Sequence, residues 1–69
     1  MSEKLKQGDR VAWNTSQGTT HGAIERVVTR TIMIDGTKLK GGVNEPVYVV
    51  RSDKTGRRAG HKAGALRKL

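Results

Sequence analysis

Apolar and polar residues alternate over short stretches of this chain, and turn-forming residues separate the stretches at close intervals. Arg10 to Asn14 places Val11 and Trp13 on one face and Arg10 and Ala12 on the other, the period of a strand. A second strand is predicted from about Thr20 to Thr29. There Ile24 and Val28 share a face while Val27 falls opposite, so the strand is either apolar on both faces or bulged. The third runs from Thr31 to Asp35 and ends at the Asp35-Gly36 hairpin signal. The fourth, Val47 to Ser52, is entered through Pro46, which a strand tolerates at its start. The fifth is Arg57 to Lys62. Between the last two, Asp53-Lys54-Thr55-Gly56 has the form of a type I turn closed by a glycine in the left-handed region. The tail Ala63-Gly64-Ala65-Leu66 is too short for a helix, and a single 3₁₀ turn would drop Leu66 onto the end of the fold.

Composition supports strands: there are 7 Val, 3 Ile and 7 Thr against 4 Leu and no Phe. At 69 residues the chain has room for one domain, expected over residues 8–69 behind a flexible stretch at 1–7. Such a core rarely yields more than ~3–5 kcal/mol. With no cysteine, neither a disulfide nor a thiolate-held zinc can add to it. The predicted core is Val11, Trp13, Ile24, Val27, Ile32, Ile34, Val49 and Leu66. Met1 to Lys6 has no apolar core of the signal-peptide kind, and the longest apolar run, Val47 to Val50, is far too short to span a bilayer. A cytoplasmic location away from membranes is the expectation.

Two stretches resemble a known family. Gly8-Asp9-Arg10-Val11-Ala12-Trp13-Asn14-Thr15-Ser16-Gln17-Gly18 followed by Thr20-His21-Gly22 is similar to the start of the hypervirulence-associated protein Tudor-like domain. Pro46 to Gly56, then His61-Lys62 and Ala65-Leu66, is similar to its second half. The resemblance implies a small all-β fold, a five-stranded SH3-like (Tudor-like) barrel closed by a short C-terminal 3₁₀ turn. Departures from the family pattern are Gly41-Gly42 in place of small Ala-Ser-like residues, Gly60 in place of alanine, and Ala63-Gly64 in place of Pro-Ser-like residues. These glycines are expected to loosen the segment before the fourth strand and the closing turn.

No catalytic constellation is visible. His21 and His61 lie far apart in sequence, the carboxylates are scattered singly, and there is no cysteine nucleophile. Gly36 through Gly41 superficially echoes a phosphate loop, but Gly42-Val43 stands where that motif needs Lys-Ser/Thr. Nothing has metal-ligand spacing. A non-enzyme with no cofactor, no metal and no evident small-molecule substrate is therefore expected. On the barrel, His21 would open the second strand and His61 close the fifth, so the two could be neighbours with a structural hydrogen bond.

Charge narrows the function further. The chain carries 14 Lys+Arg and 6 Asp+Glu, for a formal charge of +8. Residues 51–69 hold seven of the positives against Asp53 alone, so three quarters of the net charge lies in the last hairpin and tail. Such a field suits binding to a phosphate backbone, nonspecifically, through Arg51, Lys54, Arg57, Arg58 and Lys62. Six such contacts on a duplex would give a log–log salt slope of about −5. A basic surface that only maintains solubility is the bland alternative. With Trp13 and Tyr48 as the only aromatic residues, an aromatic cage for a cation cannot be built. Tyr48, were it to face solvent near Arg57 or Arg58, would be the best platform for stacking a base. The competing expectation is a protein-interaction or self-assembling module. Lys40 to Asn44 would then act as a flexible hinge through which copies exchange the terminal hairpin in a homodimer.

Overall fold

A computed structural model describes residues 5–34 and 36–69. It is all-β apart from one 3₁₀ turn, with seven strands: β1 Arg10–Thr15, β2 Gly18–Val28, β3 Ile32–Ile34, β4 Thr37–Leu39, β5 Val47–Ser52, β6 Arg58–His61 and β7 Arg67–Lys68. The 3₁₀ turn, Ala63–Ala65, lies where the sequence predicts it. Five strands form one antiparallel sheet in the order β6-β5-β2-β1-β7, and β3 pairs with β4 alone. The sheet curls without closing into a barrel. Its curl is deep enough that the Trp13 ring on β1 stands 5.7 Å, centroid to centroid, from the His61 ring on β6.

The predicted third strand leaves the main sheet. Ile34 pairs with Thr37 and Gly36 adopts φ +78°, so the chain reverses where the Asp-Gly signal stands, while Asp35 itself lies outside the described residues. Thr37–Leu39 then returns as β4, a strand with too little alternation to be read from sequence. The two-residue β7 is likewise too short to leave a pattern, and it pairs with Val11 and Ala12.

β2 carries the bulge that its mixed pattern allows. Ile24 faces Val50 and Arg26 faces Val49, so Glu25 is the extra residue. The slip reverses the phase of the rest of the strand. Ile24 is buried with Val11, Trp13, Tyr48 and Val50 in one cluster, while Val28, past the bulge, pairs with Val47 on the other side of the sheet. Val27 ends at the margin, 39% exposed, and is not core. Nor do Ile32, Ile34 and Leu66 become fully buried: they pack as half-buried covers at the periphery. The deepest burial belongs instead to β5, where Val47, Tyr48, Val49 and Val50 are all interior.

β5 is therefore covered twice. The curled sheet, Leu5 and Leu66 cover Tyr48 and Val50, and the β3–β4 hairpin covers Val47 and Val49. Gly60, opposite Val49 on β6, is where that hairpin seats: an added Cβ would stand 2.2 Å from Leu39 Cδ1 and 3.0 Å from Val47 Cγ1. So Gly60 does not loosen the fold; it admits the hairpin. Gly41 is similarly pressed against the carbonyls of Arg30 and Val28, and Gly42 and Glu45 exchange two backbone hydrogen bonds. Of the predicted N-terminal stretch, Leu5 packs on the core and the Lys6 amide donates to Asp9. Residues 1–4 of that stretch lie outside the described residues.

Gly22 marks the tightest crossing. A Cβ there would lie 1.9 Å from the Arg51 carbonyl oxygen and 3.1 Å from the Trp13 ring. Backbone cannot retreat as a flexible side chain can. Gly22→Ala is expected to cost about 2 kcal/mol or more in urea denaturation, a strain-type loss. Gly64→Ala meets nothing within 4 Å and should leave stability unchanged or raise it by up to ~1 kcal/mol.

Candidate nucleic-acid interface

The β5–β6 turn is built by its own side chains. Ser52 and Arg57 pair through the Ser52 amide, Gly56 donates back to the Ser52 carbonyl, and Gly56 adopts φ +74°, the left-handed position the sequence predicts. The Ser52 hydroxyl accepts from the Lys54 amide and the Thr55 hydroxyl from that of Arg57. From one side, Asp53 fastens this turn to the sheet. Its carboxylate takes both guanidinium nitrogens of Arg10 on β1, with Nη1 at 3.1 Å from Oδ1, and lies 3.1 Å from Nδ1 of His21 on β2. The hydrogen bond from Arg10, chiefly, holds the Asp53 carboxyl below its ordinary range, with help from His21.

The proposed site cations fall into two groups. Arg58 Nε lies 2.5 Å from Glu25 Oε1 and Arg51 Nη1 lies 3.8 Å from Glu25 Oε2, because the bulge brings that carboxylate to the Arg51–Arg58 pair. Lys62 is engaged by Glu45 through both its carbonyl, at 3.3 Å, and its carboxylate, at 3.8 Å. Lys54 and Arg57 differ: among the described residues, neither side chain has an ion-pair or hydrogen-bond partner. Exposed ion pairs stabilise little, but each cancels field that a ligand would otherwise meet.

Tyr48 does not fulfil the condition set for it. It is only 8% exposed and belongs to the core cluster, since a strand covered on both faces leaves it no route to solvent. Trp13 is interior too. The two histidines are not neighbours either. His21 bonds through its carbonyl to the Asp53 amide and its ring lies beside the Asp53 carboxylate, whereas His61 pairs with Tyr48 and its ring lies beside that of Trp13.

Beside the turn is a groove of about 230 Å³ at the open end of the curled sheet. The β1–β2 tip, Thr15 to Thr20, forms one wall. Ser52, Lys54, Thr55, Arg57, Arg58 and Ala59 form the other, Arg58 with its charge offset by Glu25, and Trp13 also lines it. None of its lining residues is acidic. Sequence reading missed this wall, although the signal was visible in the run from Asn14 to Thr20, rich in hydroxyls and amides and free of carboxylates. No group of three or more His, Cys, Asp or Glu gathers as for a metal among the described residues, and no helix there is long and apolar enough to cross a membrane.

The family model for the hypervirulence-associated proteins TUDOR domain matches residues 8–66. The chain belongs to this family. No curated protein and no solved structure matches it. As a Tudor-like domain it is a small all-β binding module in type, with its turn-borne cations at the open end of the sheet.

His61 is expected to make the stability of this Tudor-like domain depend on pH. Its Nε2 is buried without a hydrogen-bond partner among the described residues, and burial pushes the imidazole below its ordinary value of 6.5. The unfolded chain therefore takes up a proton first. Stability should be full at neutral pH, fall as pH drops through about 6.5, and level off once the folded state is protonated as well. His61→Leu removes the titrating group and its unsatisfied nitrogen. Thermal melts between pH 7.5 and 5 should show a flatter profile for the variant than for the wild type.

Proposed function

We propose that this domain is a non-enzymatic binding module that associates electrostatically, without sequence preference, with the phosphate backbone of nucleic acid. The observation that carries this reading is the pair Lys54 and Arg57, which have no acidic partner among the described residues and flank an acid-free groove. Their turn is held rigid by Ser52, Asp53 and Thr55, so a bound phosphate does not have to order it. Arg51 and Arg58 contribute less than their number suggests, because Glu25 offsets one of their two charges. Lys62 is offset by Glu45 and acts only by exchanging that partner for a phosphate.

This partition changes the expected magnitude. Lys54, Arg57 and one net charge from the Arg51–Arg58–Glu25 group make roughly three phosphate contacts, and a slope near −3 on duplex DNA in place of −5. Fluorescence polarisation with a labelled duplex across salt concentrations measures it. Lys54→Ala with Arg57→Ala should weaken binding at low salt and reduce the slope by about 2. Binding that ignores salt, or that survives the double substitution, would hand the case to the alternative reading, a protein-interaction or self-assembling module whose charge maintains solubility.

A further inference from the structure

We infer that the groove beside the β5–β6 turn takes one unpaired nucleotide, so that the domain prefers single-stranded over double-stranded nucleic acid. This preference presupposes the phosphate-backbone binding proposed for the same site, and adds the form of nucleic acid taken there.

Three features of the groove point this way. First, its volume of about 230 Å³ lies below the ~300 Å³ at which drug-sized pockets begin, enough for one small planar group. A base held in a duplex cannot enter it, because pairing and stacking keep the base inside the helix. Second, its lining is divided in the manner of a nucleotide. Lys54 and Arg57 stand along one wall for phosphates, and neutral hydroxyl and amide groups face them for a base or sugar. An inorganic anion would use only the cationic wall. Third, the neutral wall is preorganised, with its readers left free. Thr15 Oγ1 donates to the Gly18 carbonyl at 2.8 Å and accepts from the Gln17 amide, and Thr19 Oγ1 donates to Asn14 at 3.0 Å, which fixes the tip. Ser16 and Gln17 project from that fixed tip with no side-chain partner among the described residues. Hydroxyls and carboxamides both donate and accept, so they suit any base edge and impose no sequence. Trp13 lines the groove from the core, a ring against which a base can rest.

The test compares a labelled single strand of about eight nucleotides, a length within known site sizes for such grooves, with the duplex of the same sequence at one salt concentration. The single strand should bind roughly fivefold or more tightly. It should also shift the emission of Trp13, the chain's one tryptophan. Ser16→Ala with Gln17→Ala alters a solvent-facing tip and should lower single-strand affinity by roughly threefold to tenfold, with duplex affinity and salt slope unchanged. Duplex binding as tight as single-strand binding overturns this inference and leaves the electrostatic reading standing. A single-strand preference untouched by these substitutions also overturns the groove as its source. Binding of neither form overturns both.

Discussion

Val47, Tyr48, Val49 and Val50 send apolar side chains to both sides of β5, so this strand needs a cover on each face. In a chain of 69 residues with no phenylalanine and no disulfide, that demand organises everything else. One cover is the sheet itself, curled until Trp13 meets His61. The other is a hairpin recruited from the connection between β2 and β5. A sheet with two coverings has no need to close on itself, and the open end left by the curl is where the groove forms. Gly22 is where β2 presses on the backbone of β5 and Gly60 where the hairpin seats on β6, each at a distance no Cβ could share.

The bulge at Glu25 links packing to electrostatics. An inserted residue lets β2 supply Ile24 to one side of the sheet and Val28 to the other. The same residue brings a carboxylate to Arg51 and Arg58. Asp53 serves the turn itself, binding Arg10 and His21 and so holding it in place. These acids distribute the positive charge unevenly. Field is quenched along the body of the hairpin and left intact at its tip, on Lys54 and Arg57, so a strongly basic composition yields a small cationic focus.

Much of the fold was legible because it is written in local rules. β1, β2, β5 and β6 announce themselves through alternation and bounding turns, the Gly56 turn through its residue types, and the bulge through the conflict between Ile24, Val27 and Val28. What was not legible depends on tertiary choice. Nothing in Ile32–Ile34 says that it pairs with Thr37–Leu39 and abandons the main sheet, and the two-residue β7 is below the length at which a pattern exists. Tyr48 could be placed only once both faces of β5 were known to be covered. For the site, the cations could be named from the sequence, but their pairing could not. Glu25 is 26 and 33 residues from the arginines it meets, a separation that carries no sequence signal. The hydroxyl wall escaped notice because such residues also make ordinary turns.

The manner in which the β3–β4 hairpin is attached bears on how such a domain can diversify. It belongs to a separate two-stranded sheet and meets the main body through side chains such as Ile34 and Leu39, sharing none of its ladder with the five-stranded sheet. Register in that sheet is therefore indifferent to the length of the excursion between Val28 and Val47, and lengthening a surface loop costs only a slowly rising closure entropy. Descendants of this chain can lengthen, shorten or recompose the excursion while two apolar side chains continue to land on the outer face of β5. The tip that carries Lys54 and Arg57 lies elsewhere, so change in one region is decoupled from change in the other.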